Sequence, residues 1–302
     1  MLLLMHSSTS SSSSDKISIR SILIISVGTF LIISVLHLAY LSTAGKARYK
    51  AESQEVENRV RIEDFLYENH SAKIGVIAGT SLSANVHHPD LVNLSFRGGS
   101  ALTALEILCI AEQLPETILI EANLLYQPVD REMVEKFESD QRVTFPMLQD
   151  RYRPMSLLLG AIKGKSENRD PSVNLQSSRK LNATTKAKKL PVHLASAAVR
   201  LSSEELTTAL ALVQENVEKL EGLGSRVIFY LTPIDAEVVG QPRHQQWRKS
   251  FVEAFPNHPV EHLAISDEST SDGIHLCLEG NLEMGEQLGL LAGIPIEKNR
   301  GK

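Results

Sequence analysis

The sequence has few of the residues on which several classes of protein depend. It contains 2 cysteines, Cys109 and Cys277, which are too few for a disulfide scaffold and lack the spacing of a metal site. They could pair with each other, but two free, buried thiols is the simpler expectation. The formal net charge is -5 and no basic region stands out, which argues against nucleic acid as the main partner.

Metal and nucleotide motifs are also lacking. The 10 histidines show no ligand pattern, and His87 with His88 is an adjacent pair that cannot readily share one metal ion. No phosphate-cradling or dinucleotide-binding loop is present, so the sequence implies no cofactor. With 302 residues, of which 42% are hydrophobic, the chain can form one sizeable globular domain and an appendage.

The appendage is an uncharged, mostly apolar run at residues 21–41. As a helix rising about 1.5 Å per residue, it would cross the roughly 30 Å core of a bilayer. We expect a polar leader at 1–20, a transmembrane helix at 21–42 and a polar juxtamembrane segment at 43–72. An uncleaved anchor is favoured by the length of the run, although the small residues at 41–47 also allow a cleaved signal peptide.

Charge does not orient this span, because positive residues flank it on both sides. They are Lys16 and Arg20 before it, and Lys46, Arg48 and Lys50 after it. The short leader and the single span favour a C-terminal domain that faces outward. We therefore expect a membrane-anchored protein whose domain lies in the periplasm or outside the cell.

The remainder alternates between strand and helix patterns. Short apolar runs predict strands within AKIGVIAGT, DLVNLSF, ETILIEANL and RVIFYLTPI. Helical spacing predicts helices within SALTALEILCIAEQL and at about 203–222, where a serine precedes early glutamates and a glycine ends the pattern. This order predicts an α/β domain with a parallel sheet and with functional residues at the carboxyl ends of its strands.

Four short segments at or after these strand ends carry the residue types of one ester-cleaving site. They are GTSLS at 79–83, NLSFRGG at 93–99, IEANLL at 120–125 and SDGIHL at 271–276. A serine hydroxyl needs a base, and the base needs a group that fixes its tautomer. Ser81, His275 and Asp272 suit these three roles.

The remaining segments offer donors for the negative oxygen of a tetrahedral intermediate. Gly98 has an unobstructed backbone amide, Asn123 has a side-chain amide, and the amide of Ser81 is a third donor. Each residue also has a plain structural interpretation, such as a turn or a helix cap. The four segments together, in this order, favour the catalytic interpretation.

These segments resemble the sequence blocks of the SGNH (GDSL-like) hydrolase superfamily, in the family's order, from about residue 74 to 285. Three positions differ from the family pattern: Thr80 replaces the aspartate before the nucleophile, and Glu121 and Leu124 replace a glycine and an aspartate around Asn123. The resemblance implies a three-layer α/β/α sandwich with a parallel central sheet, over about residues 73–296. It also implies Ser81, Asp272 and His275 as catalytic residues, with Ser81, Gly98 and Asn123 forming the oxyanion hole.

Membrane-anchored members of this superfamily often add or remove acetyl groups on envelope polysaccharides. The resemblance therefore implies O-acetyl transfer or removal on a cell-surface or exported polysaccharide, with a membrane acyl-donor protein as a possible partner. The alternatives are a general secreted carboxylesterase or lipase-like hydrolase, and a non-catalytic envelope scaffold. A large apolar pocket near Ser81 would favour a lipid or simple ester, whereas an open polar groove would favour a glycan.

Two further regions leave their roles open. The segment at about 127–202 is irregular, polar and basic in part, and we expect an exposed loop or lid, either simply solvated or contacting an acidic polymer or lipid headgroups. Arg97 could meet a substrate anion, although a structural salt bridge is the simpler role. The loop after the fourth strand offers further pocket or surface residues: Asp235, Arg243, His244 and Trp247.

Overall fold

The computed structural model describes residues 19–44, 53–67, 73–138, 149–152, 171–265 and 270–295; at 171–182 only the backbone is described. The chain divides into two units, Met1–Arg48 and Tyr49–Lys302. The two predicted features, an apolar N-terminal helix and an α/β domain, fall in separate units.

The first unit contains one helix, α1 (Ile19–Ala44), among its described residues. The window Ile19–Leu36 has a mean hydropathy of 2.3 and none of it is buried. The large aliphatic side chains of this window are exposed. The helix is long and apolar enough to cross a membrane, as the sequence predicts.

The second unit is built on one five-stranded parallel sheet. The strands are β1 (Gly75–Gly79), β2 (Leu91–Ser95), β3 (Thr117–Glu121), β4 (Arg226–Leu231) and β5 (Val260–His262). Their order in the sheet is β2-β1-β3-β4-β5. The predicted α/β class and parallel sheet are confirmed.

Helices connect these strands. They are α2 (Gln54–Tyr67), α3 (Ala101–Ile110), α4 (Arg131–Glu138), α5 (Pro171–Ala197), α6 (Ser203–Gly222), α7 (Ala236–Val239), α8 (Pro242–Ala254) and α9 (Leu278–Leu291), with a 3-10 turn at Asp150–Tyr152. The predicted helix at 203–222 forms with a capping box, in which Ser202 and Glu205 satisfy each other's backbone amides. Ser100 caps α3 in a similar position.

The strand order places the carboxyl ends of β1 and β3 at a switch point. From β1 the chain moves to one side to form β2, and it then returns to form β3 on the other side of β1. Where neighbouring connections leave in opposite directions, a crevice opens beyond the strand ends. Ser81 follows β1 and Asn123 follows β3, so both lie at this crevice.

Side chains from the strands pack into separate apolar clusters. In β3, Ile118 and Ile120 join a large cluster, whereas Leu119 joins a smaller one. The large cluster receives residues of α2, α3, α6 and α8, and the smaller one receives residues of α9. Since successive strand residues point to opposite faces, both faces of the sheet are covered.

The segment 43–72, expected to be a polar juxtamembrane stretch, contains a helix that packs on the core. In α2, Ile62 and Phe65 are buried in the large cluster. Arg59 is also buried and donates from Nε to Asp150 at 2.7 Å. Some buried residues of α2 are charged and pair with residues far away in the sequence. The polar composition of the segment therefore did not indicate that it packs on the core.

The segment 127–202 is also more regular than expected. It contains α4 and the 27-residue helix α5 instead of an extended loop, while residues 139–148 and 153–170 lie outside the described part of the chain. The polar residues that suggested a loop are compatible with a helix that is exposed along much of its described surface. Pro191 lies inside α5 and is exposed.

Candidate active site

Three residues form a continuous hydrogen-bonded chain, although Ser81 lies near the beginning of the second unit's sequence and the other two lie near its end. His275 Nε2 lies 3.0 Å from Ser81 Oγ, and His275 Nδ1 lies 2.8 Å from Asp272 Oδ2. Ser81 and His275 are each partly exposed, whereas Asp272 is buried. The structure therefore brings together the three residues that the sequence predicted as nucleophile, base and orienting acid.

A tight loop fixes the positions of Asp272 and His275. Asp272 Oδ1 accepts hydrogen bonds from the amides of Ile274 (3.2 Å) and His275 (2.9 Å). Gly273 has φ +99°, a conformation that residues with a Cβ rarely adopt. The loop closes where the amide of Ser271 donates to the carbonyl of His275 at 2.7 Å. One carboxylate thus orients both the backbone and the ring of His275.

Asp272 is held in its charged form. Burial opposes ionisation, but hydrogen bonds from the His275 ring and from the amides of His275 and Ile274 outweigh it, and they keep the pKa of Asp272 well below its usual range. With an ionised Asp272 accepting from Nδ1–H, Nε2 has its lone pair directed at Ser81. That arrangement suits a base that removes the serine proton.

Ser81 lies on a turn that begins as β1 ends. The amide of Ser83 donates to the carbonyl of Thr80 at 3.2 Å, which closes the turn around Ser81. Glu121, the last residue of β3, forms hydrogen bonds with residues on both sides of Ser81 in this turn. It accepts from the Thr80 amide (3.0 Å), the Thr80 hydroxyl (2.7 Å) and the Ser83 hydroxyl (2.7 Å). Both ends of the turn are therefore tied to one carboxylate.

Glu121 and Thr80 are two of the positions that depart from the family pattern, and the structure joins them. Glu121 is fully buried, and burial raises its pKa despite the hydrogen bonds from Ser83 and Thr80. The network continues from Ser83 Oγ to the hydroxyl of Tyr230 at 2.8 Å. A Cβ on Gly79 would lie 2.9 Å from Glu121 Oε2, so this approach requires a glycine.

Asn123, predicted as an oxyanion donor, is buried in a clamp between two strand ends. Its Nδ2 donates to the carbonyl of Thr232 at 2.9 Å, and its Oδ1 accepts from the amide of Thr232 at 2.7 Å. This pair extends the connection between β3 and β4 beyond the sheet. One hydrogen of Nδ2 is used in the clamp, and the same nitrogen carries a second.

Gly98, the other predicted donor, lies beside α2. Its φ is +66°, and a Cβ there would lie 3.4 Å from Gln54 Oε1. The shallow cavity that Gly98 lines, of about 260 Å³, includes Arg97 and residues of α2 but none of the three residues of the hydrogen-bonded chain. Within the described part of the chain, no hydrogen bond links Gly98 to Ser81 or Asn123.

Arg97 and Asp235, the predicted substrate contacts, are both engaged in structural interactions. Arg97 Nε lies 3.4 Å from Glu57 of α2. Asp235 caps α7 and pairs with Lys186 of α5 at 2.7 Å. The amide of Asp235 also donates to the carbonyl of Gly273 at 2.8 Å, so this residue supports the loop that carries His275.

Helix α5 lies against the same loop, which the sequence did not indicate. A Cβ on Gly273 would lie 2.8 Å from Leu190 Cδ1. His193 Nε2 is 3.8 Å from Asp272 Oδ2, and this buried nitrogen has no hydrogen-bond partner within the described part of the chain. The region expected to be a loop or lid therefore packs directly beside the triad residues.

A cavity of about 350 Å³ adjoins the site. Its lining includes Leu82, Ile274 and Leu124, the chain neighbours of Ser81, His275 and Asn123, but none of the three residues of the hydrogen-bonded chain themselves. Arg243 and His244 line it, as anticipated for a pocket. Trp247 does not, because its ring is buried in the core and donates to the carbonyl of Ala122 at 2.8 Å.

Potential metal ligands and cysteines complete the description of the reactive side chains. No group of three or more His, Cys, Asp or Glu side chains in the described residues could hold a metal ion. Cys109 and Cys277 are both free, and Cys109 Sγ donates to Asn216 at 3.2 Å.

Comparisons with family models, with curated proteins and with solved structures gave no match. Membership of the SGNH superfamily therefore stays a prediction from the four sequence segments. What the structure itself defines is an α/β protein whose parallel sheet carries a Ser-His-Asp arrangement at the carboxyl ends of its strands.

Proposed function

We propose that this protein is an SGNH-type serine esterase or acyltransferase, in which Ser81 attacks an ester carbonyl. The observation that carries the proposal is the hydrogen-bonded chain from Ser81 through His275 to Asp272, at 3.0 Å and 2.8 Å. Serine, imidazole and carboxylate in this order activate a hydroxyl for acyl transfer on several unrelated folds.

In the proposed first step, His275 Nε2 takes the proton of Ser81 as its oxygen forms a bond to the ester carbon. Asp272 stabilises the imidazolium that results, since its carboxylate is ionised and accepts from Nδ1–H. His275 then returns the proton to the leaving alcohol as the ester bond breaks. An acyl group remains on Ser81, and water or a second hydroxyl, deprotonated by His275, removes it.

The negative oxygen of the intermediate needs donors, and two are close at hand. The Ser81 amide makes no hydrogen bond to another described residue, and Asn123 Nδ2 has a second hydrogen beyond the one given to Thr232. Gly98 completes the oxyanion hole in the family pattern. For the Gly98 amide to take part here, its loop would have to move on substrate binding so that the amide faces the same oxygen as Ser81 and Asn123.

The fold supports the same family assignment. A three-layer α/β/α sandwich follows if α2, α3, α6 and α8 form one layer and α9 forms the other. The separate apolar clusters on alternate strand residues support this arrangement. The sheet order β2-β1-β3-β4-β5 with a ligand crevice beyond β1 and β3 is also that of flavodoxin-like folds.

For the substrate, we propose an ester on a cell-surface or exported polysaccharide, from which the enzyme removes acetyl groups or to which it transfers them. The support is the resemblance to envelope enzymes together with α1, which would tether the domain to a membrane and hold it in the periplasm or outside the cell. A transferase would need an acyl donor, which a membrane partner protein could supply.

A second candidate is a carboxylesterase or lipase-like hydrolase acting on simple or lipid-like esters. One observation favours it: the cavity beside the site has apolar walls next to Ser81 and His275. An acetyl group would leave most of this space empty. The two candidates share the same chemistry and differ in the acyl group and the acceptor.

A fluorophosphonate probe tests the shared chemistry, because it phosphonylates only activated serines. The full chain in lipid nanodiscs should be labelled, with the adduct mapped to Ser81 by mass spectrometry. Ser81→Ala should abolish both labelling and turnover of p-nitrophenyl esters. Ser203→Ala, which changes an exposed serine in the first turn of α6, should leave both unchanged.

The third possibility, a non-catalytic envelope scaffold, predicts a different outcome. A folded protein that neither takes up the probe nor turns over any ester would contradict the enzymatic proposal and favour a scaffold. Labelling that persists in Ser81→Ala would instead place the reactive serine elsewhere. Circular dichroism of each variant separates these outcomes from a loss of folding.

A further inference from the structure

The cavity beside the triad residues has an apolar part and a polar part. The apolar part belongs to a small buried cluster of Leu82, Ala197, Ile234 and Val238, against which Leu124 and Ile274 pack. Leu82 follows Ser81 and Ile274 precedes His275 in the chain, so this part begins one residue along the chain from each of the two groups that exchange a proton in the proposed mechanism.

The polar part lies at the start of α8. Arg243 and His244 line it together with Tyr126, whose ring centroid lies 6.0 Å from the Arg243 guanidinium carbon and 6.4 Å from the His244 ring centroid. Arg243 also donates from Nε to the carbonyl of Val199 at 2.8 Å. These contacts hold the polar side chains in place as one wall of the cavity. An apolar group that packs against this wall would gain no hydrophobic binding energy.

We propose that the apolar part of this cavity binds the acyl chain of the ester, and that the enzyme prefers a medium-length chain to acetyl. The inference rests on the ester chemistry of the proposed function, since it takes Ser81 as the attacking group, and it favours the second candidate substrate, a simple or lipid-like ester, over an acetylated polysaccharide. The carbonyl would lie at Ser81, and the chain would extend past Leu82 and Ile274 between Val238 and Ala197.

The size of the cavity sets the length of the chain. A methylene group occupies about 30 Å³, close to the share of one water molecule in the liquid, so the whole cavity of about 350 Å³ has room for about twelve such groups. The apolar part is roughly 60% of the lining and would hold about seven of them. Each methylene moved from water to an apolar wall should raise kcat/KM about threefold to fourfold. Chains that reach the polar wall should gain no more, which predicts an optimum near octanoate.

Helix α5 forms one wall of the proposed acyl site. Ala197 is 4% exposed, lines the cavity and is the last residue of α5. Ala198, the next residue, is exposed and does not line the cavity. A phenylalanine at 197 would occupy part of the acyl space, whereas the same side chain at 198 would project into solvent.

The test measures kcat/KM for p-nitrophenyl acetate, butyrate, octanoate and palmitate with the full chain in lipid nanodiscs. The wild type should prefer octanoate to acetate by at least tenfold. Ala197→Phe should reduce turnover of octanoate at least tenfold while changing that of acetate less than threefold. Ala198→Phe should retain the wild-type preference.

A second variant enlarges the space instead of filling it. Val238 is 1% exposed and lines the apolar part, so Val238→Ala should shift the optimum toward chains longer than octanoate. This variant keeps the test valid if Ala197→Phe does not fold. Fluorophosphonate labelling at the wild-type rate shows that each variant retains an intact triad.

Failure of this inference differs from failure of the proposed function. If acetate is the best substrate, or if Ala197→Phe lowers acetate and octanoate turnover equally, the cavity is not the acyl site, although Ser81 still acts as nucleophile. If no ester is turned over and Ser81 is not labelled, both the proposed function and the acyl site are wrong.

Discussion

The carboxylate of Glu121 accepts a 2.7 Å hydrogen bond from the hydroxyl of Thr80. Glu121 is the last residue of β3, and Thr80 is the first residue after the neighbouring strand β1. In the family pattern that the four segments resemble, an aspartate precedes the nucleophile and a glycine begins the third block. Here the acidic group comes from β3 and a hydroxyl meets it from the loop. The two substitutions fit each other, so the turn that carries Ser81 keeps an acidic support from a different strand.

Glu121→Gln should therefore weaken both the fold and the proposed activity. The side-chain amide of the introduced glutamine has one acceptor oxygen in place of two. Its NH2 group would point at a hydrogen-bond donor of Thr80 or Ser83, and that hydrogen bond would be lost. We expect a loss of about 1–3 kcal/mol in the free energy of unfolding, measured in urea, and a slower rate of fluorophosphonate labelling. Glu112→Gln, at an exposed position, is the matched control. Labelling at the wild-type rate in Glu121→Gln would show that the turn does not need this carboxylate.

Alanine substitutions at two glycines with similar φ angles distinguish the cost of backbone strain from the effect of displacing the loop that carries His275. Gly273 has φ +99° with Leu190 close by, whereas Gly224 has φ +96° with open space around its Cβ position. Alanine at either position should cost about 1–2 kcal/mol of stability because of the angle. Only Gly273→Ala should also slow ester turnover, by about 10-fold to 100-fold, since it displaces the loop that holds His275. Equal turnover in the two variants would contradict the proposed role of this loop.

Asp272→Asn tests the orienting carboxylate. The amide can donate to His275 Nδ1 and thereby favour the wrong tautomer, so Nε2 would no longer accept the proton of Ser81. We expect kcat to fall roughly 10³-fold to 10⁴-fold with a smaller change in KM. Steady-state kinetics with a p-nitrophenyl ester measures the effect. A change in KM alone would mean that Asp272 contributes to binding and not to the proposed proton transfer.

His244 should make the fold sensitive to mild acid. Burial, with Arg248 and Arg243 nearby, lowers its pKa to about 4. In the unfolded chain an imidazole binds its proton near pH 6.5, so between pH 6.5 and 4 the unfolded state binds more protons and stability falls as the pH falls. The loss should reach about 3 kcal/mol at most.

The measurement is urea unfolding at several pH values for the wild type and for His244→Gln. The variant should lose less stability than the wild type between pH 6.5 and 4, and the two curves should run parallel above pH 7. If the curves stay parallel throughout, His244 does not titrate differently in the folded and unfolded states.

The proposed membrane anchor is tested by placing charge in α1. Each arginine at the centre of a transmembrane helix costs about 2.5–3.5 kcal/mol of insertion free energy. Replacing both Ile25 and Leu31 with arginine should allow alkaline carbonate to extract the protein from membranes, whereas the wild type should stay in the membrane fraction. The control exchanges the same residues for other aliphatic ones, Ile25→Leu with Leu31→Ile, and should remain bound. Release of the wild type by carbonate would show that α1 does not span the bilayer.

Local pattern was sufficient to predict most of the sheet and the helix at 203–222. The strands β1, β3 and β4 are short apolar runs with turn residues behind them, and the capping residues of α6 lie next to it in sequence. By contrast, β5 has only three residues, too few for any periodicity to appear. Its position depends on its pairing with β4, which a local pattern does not contain.

For the candidate site, motif spacing indicated which residues would meet, but not what would support them. Ser81 and His275 are 194 positions apart. Ser81 follows β1 and His275 lies beyond the edge strand β5, with β3 and β4 between them in the sheet, so the loop that carries His275 has to reach back toward β1. The support from Glu121 was missed because the residue reads as a departure from the family pattern. Its partners lie 38 and 41 positions earlier, and only the packed strands bring them together.

Helix α5 was missed for another reason. Its described residues are largely exposed, and its helical pattern is interrupted by Pro191, so neither amphipathic spacing nor composition marks it as structured. What places it beside the site is a small number of tertiary contacts, such as Lys186 with Asp235 and Leu190 with Gly273. These depend on loops whose conformation the sequence alone does not define.

Asp272 and His275 stand only three positions apart on one closed loop. A shift of that single segment would move the imidazole and the carboxylate together. Ser81 would then lose both the base and the group that orients it. Any contact that displaces this segment would therefore disable the proposed mechanism without touching Ser81.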